Sequence, residues 1–550
     1  MLALAAAALL VLVVLPLASL VWSSVTDEGR LTLANFRAAL SQRLYVQALW
    51  NSLVLGAWTA VLSVAIGLPM AWAVGRTNVP AKKFIHLTAV VAYVTPPYLT
   101  AIAFVYLYSP NAGLLNRFAR EVLAAPALTF NVFSMSGLVL VTVLHTFPFV
   151  YLLAASALES VDASMEESAQ ILGAGRWRTA FAVTAPLVAP AVLSGALIAF
   201  VNAIALFGSQ AIIGLPGRIF TLPTRIYALF DYPPEYGLAS ALSLVFVAIT
   251  VVALFLQRRY LAKRSYVTLG GKGSRPRLVA LGPARWGVFV FCVGVFVVAV
   301  LAPYVTLLAV SLSKSWGLGF WQNLTLKNYR FILFEYDVTR RAIVNSLLLA
   351  STAATAAVLL GSLISWIDLR TTLPGRKLLD YASLIPLGLP GIVVAVALIQ
   401  FWLRMPLPIY GTLLIILLAY TGRYVPLGVR SASAAFRQID PSLEETARVT
   451  GAGWLRTFRS VTLPLARPGL FAGWILVFVP ALQELSASIL LFSSGSITLA
   501  VAVYNLYETG YLEAVAALAV VTMLIITAAI ALAMRLGRSA VVGERPTVAG

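Results

Sequence analysis

Apolar runs of eighteen or more residues recur along this chain, and that one feature decides its fold class. Each run is long enough to cross a bilayer as a helix of about 20 residues. The runs are continuous rather than built from segments of about ten alternating residues, which excludes a membrane β-barrel. Spans are expected near 2–23, 48–74, 85–108, 136–158, 183–212 and 237–256. Six more are expected near 287–312, 345–367, 379–403, 411–433, 470–492 and 515–534. The expected fold is an all-α polytopic membrane protein of about 12 transmembrane helices.

Composition agrees: 61% of the 550 residues are hydrophobic and only 11% are charged, far from a soluble domain. The net charge of +19 would suggest nucleic acid in a soluble protein, but the basic residues cluster between the apolar runs. That distribution fits membrane orientation, so no nucleic-acid partner is expected. With the N-terminus inside, roughly 25 Lys and Arg fall on the inner side and about 13 outside, as the positive-inside rule requires. Arg76, Lys82, Lys83, Arg370, Arg376 and Lys377 are among the inner charges, and both termini are then cytoplasmic. The start, Met1 to about Trp22, is apolar but lacks a basic n-region, so a first membrane helix is expected rather than a signal peptide. Cys292 is the only cysteine, which excludes an internal disulfide and a cysteine metal site. His86 and His145 lie far apart, and no group has metal-ligand spacing.

The chain is an internal repeat. Leu31–Arg37 (LTLANFR) is echoed by Leu324–Arg330 (LTLKNYR), and Asn51-Ser52-Leu53 by Asn345-Ser346-Leu347. The strictest match is a polar loop that runs from Asp162 to Pro186 and Pro190, and again from Asp440 to Pro464 and Pro468. Its matched positions stand a constant 278 residues apart. Six spans per half give both halves the same orientation. The expected organisation is a first half at 1–256 and a second at 286–550, with the repeated loops near 159–190 and 437–468. Between them, 257–285 carries eight basic residues and no acid, and reads as a flexible linker held at anionic membrane lipid.

The repeated loop has a legible shape. Asp440 followed by Pro441 is a helix start, an N-cap acceptor before a residue that needs no N–H. Glu444 and Glu445, like Glu166 and Glu167, come early in that helix, where carboxylates favour the positive end of the helix dipole. Gly451 and Gly453 permit a turn through left-handed backbone, and a second short helix is expected to end before Pro464. Asp162 and Gly173 allow the same shape in the first half.

These residues resemble the EAA loop of importer-type ATP-binding-cassette permeases. The matching positions are Glu167-Ser168-Ala169, Gly173, Val183 and Pro186, then Glu445-Thr446-Ala447, Gly451, Val461 and Pro464. Ser168 and Thr446 replace the first alanine of that pattern, and Ala185 replaces its leucine. The fused layout and the stretch Leu482–Leu491 (LQELSASILL) are similar to the ferric-iron permease branch. The resemblance implies two tandem MetI-like permease repeats. It also implies that each loop docks in a separate ATP-hydrolysing subunit, as a homodimer, with an external substrate-binding protein. Substrate, most simply ferric iron, would then move inward by alternating access. No cofactor is expected on this chain, with ATP used by the partner. The Walker-like fragment Gly270-Gly271-Lys272-Gly273 lacks the Ser or Thr after its lysine. Thiamine, polyamine or phosphonate import are alternatives within that family.

Ionisable groups at membrane depth mark pathways or packing pairs. Glu484 and Arg423 lie at comparable depths in the eleventh and tenth spans, and could pair or face a pathway. Their counterparts in the first half are Leu206 and His145, so any such site is asymmetric. Gln210 and Ser488 occupy equivalent positions, and either line a passage or bond between helices. Pro96-Pro97 and Pro386, Pro390-Gly391 should kink the third and ninth spans. An ion-coupled secondary transporter would want more buried acids and leaves the repeated loop without a role. A membrane enzyme would need a nucleophile, base or metal group that the sequence does not offer.

Overall fold

The computed structural model describes residues 1–27, 29–262, 278–316 and 323–542. Of the basic linker expected at 257–285, residues 263–277 lie outside the described residues, and the Gly270–Gly273 fragment with them. Among the described residues ten helices are long and apolar enough to cross a membrane, and two more spans are bent pairs.

The first half runs α1 (Leu2–Ser24), α2 (Arg43–Arg76), the pair α3 (Lys82–Val94) and α4 (Pro97–Tyr108), and α5 (Met135–Ser160). The loop helix α6 (Ala163–Ile171), α7 (Ala180–Ala205) and α8 (Tyr236–Ala262) complete it. The second half repeats the order: α9 (Ala284–Ser311), α10 (Asp337–Arg370), the pair α11 (Arg376–Gly388) and α12 (Gly391–Trp402), and α13 (Leu413–Arg437). Then come the loop helix α14 (Pro441–Val449), α15 (Leu455–Leu482), the single turn α16 (Ser488–Leu491), α17 (Leu499–Glu508) and α18 (Leu512–Val542). Two-residue strands, β1 (Thr26–Asp27) and β2 (Arg30–Leu31), pair antiparallel after α1.

The third and ninth spans are broken rather than kinked, by 98° between α3 and α4 and 114° between α11 and α12. Pro96 and Pro97 both lack an N–H, and Leu389 before Pro390 is forced into extended backbone, so neither helix can continue. The fifth and eleventh spans, expected as single helices at 183–212 and 470–492, also break. α7 stops at Ala205 and a π-helical turn resumes at Gln210–Gly214; α15 stops at Leu482 and α16 resumes at Ser488. Open backbone at this depth persists only where its polar groups are paired. Gln210 does that in the first half by donating to the carbonyl of Ala203 at 2.7 Å.

Two compact units emerge from the packing, and they are not the contiguous halves. One comprises Met1–Arg37, Leu229–Val247 and Tyr329–Gly550; the other comprises Ala38–Ala228 and Ala248–Asn328. Thus α1 packs against α12, α11 and α10 of the second half, whereas α9 packs against α3, α4 and α5 of the first. Each half gives away its first helix.

Within each unit a long helix is clasped by two others. α2 lies against α5 and α7, and α10 against α13 and α15. Small residues permit the approach: a Cβ at Gly67 would crowd the Phe147 carbonyl, and one at Gly361 would fall into the backbone of Gly428. The echoed Asn-Ser pairs fasten the opposite end of these long helices. Ser52 Oγ accepts the N–H of Leu222 at 2.8 Å, and Ser346 Oγ accepts that of Leu499 at 2.7 Å. Asn51 donates to the Phe220 carbonyl and Asn345 to those of Gly495 and Ile497.

Candidate functional site

The repeated loop takes the same form twice. In the second copy the Asp440 carboxylate accepts the backbone N–H of Ser442 at 2.9 Å, with Pro441 opening α14. That N–H holds the exposed Asp440 carboxyl below its ordinary value. Gly173 and Gly451 end the loop helices in left-handed backbone, with φ of 85° and 87°. The next residue closes the cap: Ala174 donates to the Ala169 carbonyl at 2.9 Å and Ala452 to that of Ala447 at 3.0 Å. Gly453, expected in the same region, is not among the left-handed glycines. Its carbonyl instead accepts from Thr457 at the start of the next helix.

The second short helix expected to end before Pro464 does not end there. Arg176–Thr179 and Trp454–Thr457 run straight into their spans through π-helical turns at Ala180–Thr184 and Phe458–Thr462. A π-turn widens the backbone where Pro186 or Pro464 follows, which avoids the clash and the lost hydrogen bond that stop a regular helix. Both turns sit at the same 278-residue spacing as the loops.

Adjacent glutamates of the loop separate. Glu445 is exposed, but Glu444 turns inward and is buried. Its carboxylate lies 3.4 Å from Arg370 Nε, at the end of α10, and accepts the Thr462 hydroxyl at 3.1 Å. The first half repeats this: Glu166 lies 3.4 Å from Arg76 Nη1, at the end of α2, and accepts the Thr184 hydroxyl at 2.6 Å. The side chain of Glu167 lies outside the described residues. Each arginine has a further job. Arg76 Nη2 donates to the Val161 carbonyl at 3.1 Å, and Arg370 Nη2 donates to those of Phe436 and Ile439 at 3.1 and 2.9 Å. One guanidinium therefore ties together the end of a long span, a carbonyl at the C-terminal end of α5 or α13, and the loop helix. Cations are favoured at that negative helix end.

Arg76, Arg370, Thr184 and Thr462 are functional candidates that the sequence reading did not single out. The arginines looked like orientation charges. Their mutual spacing of 294 residues, from Arg76 to Arg370, differs from that of the loops but equals that of the Asn51 and Asn345 echo. That shared offset was the available signal.

The membrane-depth candidates fall into different units. Arg423 Nη1 and Glu484 Oε1 are 3.3 Å apart, so they pair. Glu484 also accepts the Tyr424 hydroxyl at 2.7 Å and the Ala487 N–H at 3.0 Å, so it holds the broken segment between α15 and α16. Gly391 leaves room for the Arg423 guanidinium, which a Cβ there would strike. Ser488 belongs to the same network through the Tyr420 hydroxyl at 2.6 Å. Gln210, in the other unit, is buried and bonded to Ala203 and to Thr221, which donates to its side-chain oxygen. Among the described residues no three His, Cys, Asp or Glu side chains come together as a metal site.

Two six-span repeats, each with a capped, inward-anchored loop helix, define a polytopic transport permease. The chain belongs to the family of binding-protein-dependent transport system inner membrane components, whose model matches residues 63–265 and 357–541. It is a multi-pass inner-membrane transport permease. FbpB of Actinobacillus pleuropneumoniae, a ferric transport system permease, is 26% identical over 86% of this chain and 68% of that protein. FbpB 1 of Haemophilus influenzae, assigned to ferric transport, is 28% identical over 85% of this chain and 73% of that protein. ModB of Escherichia coli, a molybdenum transport system permease, is 29% identical over 38% of this chain and 90% of that protein.

Proposed function

We propose that this chain is the membrane subunit of an importer that carries ferric iron inward. An external binding protein delivers the iron, and a separate ATPase dimer drives alternating access. The observation that carries the coupling reading is the pair of loops: the same capped helix, anchored the same way, occurs twice in one chain. Both loops also present apolar side chains to solvent. Ile171 and Val449 stand at equivalent positions and are 86% and 87% exposed, and Met165 and Leu443 are equivalent and exposed too. Exposed apolar groups rimmed by polar ones mark a protein contact. Iron is supported by the FbpB relatives, whose similarity covers 85–86% of the chain, whereas the ModB match covers 38%, less than one half. On this reading the termini and both loops are cytoplasmic, and ATP is used by the partner with no cofactor on this chain.

The test is radioactive ferric iron uptake into proteoliposomes containing the chain and the ATPase subunits that copurify with it, with the iron presented outside on a ferric-iron-binding protein from the same cells. Wild type is expected to take up iron only with ATP. Glu167→Ala with Glu445→Ala is expected to abolish that uptake. Iron uptake driven by an ion gradient without ATPase would replace this reading with secondary transport.

A further inference from the structure

The loop helices carry two adjacent glutamates, yet only one of each pair is free to meet a partner in the copy where both are described. The other is spent inside the chain. Glu444 is buried against Arg370 and Thr462, and Glu166 sits against Arg76 and Thr184. These arginines are themselves buried or nearly so, at 2% and 13% side-chain exposure. A buried ion pair adds little net stability over an apolar contact of the same shape. Its appearance twice, in one geometry, needs another reason.

Geometry supplies one. A loop helix joined to its neighbours only by a left-handed glycine and a capped turn could rock without disturbing the spans. The latch removes that freedom. It connects α6 to the end of α2 and to the last carbonyls of α5, and α14 likewise to α10 and α13. The threonines then tie the same carboxylates to the π-turns that open α7 and α15. A displacement of either loop helix reaches three spans through one charged node.

We propose that Arg76 and Arg370 are positioning residues that make each loop helix part of the body of its long span. Motion imposed on the loop by an ATPase is then delivered to the spans and not absorbed in the connector. This rests on the coupling reading above. It assigns the first glutamate of each pair, Glu166 and Glu444, to transmission, and leaves the second to docking.

The experiment uses the full chain with its copurifying ATPase and the same iron-loaded binding protein outside, and compares wild type with Arg76→Gln/Arg370→Gln and with the conservative Arg76→Lys/Arg370→Lys. Three quantities are read: ATPase subunits retained, ferric ions taken up per ATP hydrolysed, and amide exchange across 441–449. The glutamine pair is expected to retain the ATPase and continue hydrolysis, with uptake per ATP reduced about tenfold and exchange at 441–449 about tenfold faster. The lysine pair is expected to recover part of both. An unchanged ratio of uptake to hydrolysis in a folded glutamine pair overturns the proposal, and so does loss of the ATPase, which would make these arginines docking residues. If wild type binds and activates the ATPase but moves no iron, the substrate reading fails. Exchange and hydrolysis then decide, and unchanged exchange overturns the latch. A wild-type chain that binds no ATPase overturns both readings together.

Discussion

In the first half Arg76, Glu166 and Thr184 hold one another where the loop leaves the span, and Arg370, Glu444 and Thr462 do the same in the second. Beside the helix breaks the halves part company. His145 and Leu206 stand where the second half has Arg423 and Glu484, and the first break is closed by Gln210 on its own backbone carbonyls. On the proposed function this contrast has a plain reason. Two equal subunits pushing on one chain require two equal handles. A single solute crossing the membrane needs no second copy of whatever it meets, so the breaks were free to diverge into one neutral and one charged version.

The largest expected effect lies at the charged break. Arg423→Met leaves Glu484 buried without its cation, at a cost of about 3 kcal/mol, read as a fall in thermal stability of the chain in nanodiscs. Changing both, Arg423→Met with Glu484→Met, should recover most of that loss. His145→Met in the first half should cost about 1 kcal/mol. Equal losses at Arg423 and His145 would erase the energetic contrast between the breaks.

A middle-sized effect tests the likeness. Ser52→Ala and Ser346→Ala each strand a buried N–H, of Leu222 or Leu499, and should cost about 1–2 kcal/mol apiece. A cost in only one half would show that the shared clamp is used unequally. The smallest effect concerns the cap of α14. The Asp440 carboxyl is held below its ordinary value by Ser442, so its contribution is present above the unfolded pKa of about 3.9 and fades as pH falls through the lower folded value. Amide exchange at 441–449 should therefore rise a few-fold only in acid. Asp440→Asn, which keeps an acceptor at the cap, should remove that pH dependence.

Much of this was readable from the chain. Apolar runs placed most of the spans to within several residues, because a bilayer imposes one length on all of them, but the eleventh, expected at 470–492, runs over Leu455–Leu482. Proline pairs marked two of the breaks, though a kink understated bends of 98° and 114°. The loops were legible because polar residues in strict register have few explanations in an apolar chain. Arg76 and Arg370 were not, since a charge at the end of a span satisfies the orientation rule whether or not it also grips a carboxylate. The pairing of Arg423 with Glu484 could be anticipated from depth alone. That Gln210 serves backbone carbonyls could not, because the break in α7 carries no proline to announce it. Least visible was the exchange of first helices, for one apolar helix in lipid bears no address for its neighbour.

That exchange also sets a timetable for synthesis. α1 is made well before the helices it packs against, α10 to α12, which follow only after some 300 residues more. At about 5–20 residues per second the ribosome needs on the order of 15–60 s to provide them. Throughout that interval α1 lacks those partners, and its bare apolar surface is safe because lipid is as good a neighbour as protein. Maturation of the first half therefore depends on the second having been made.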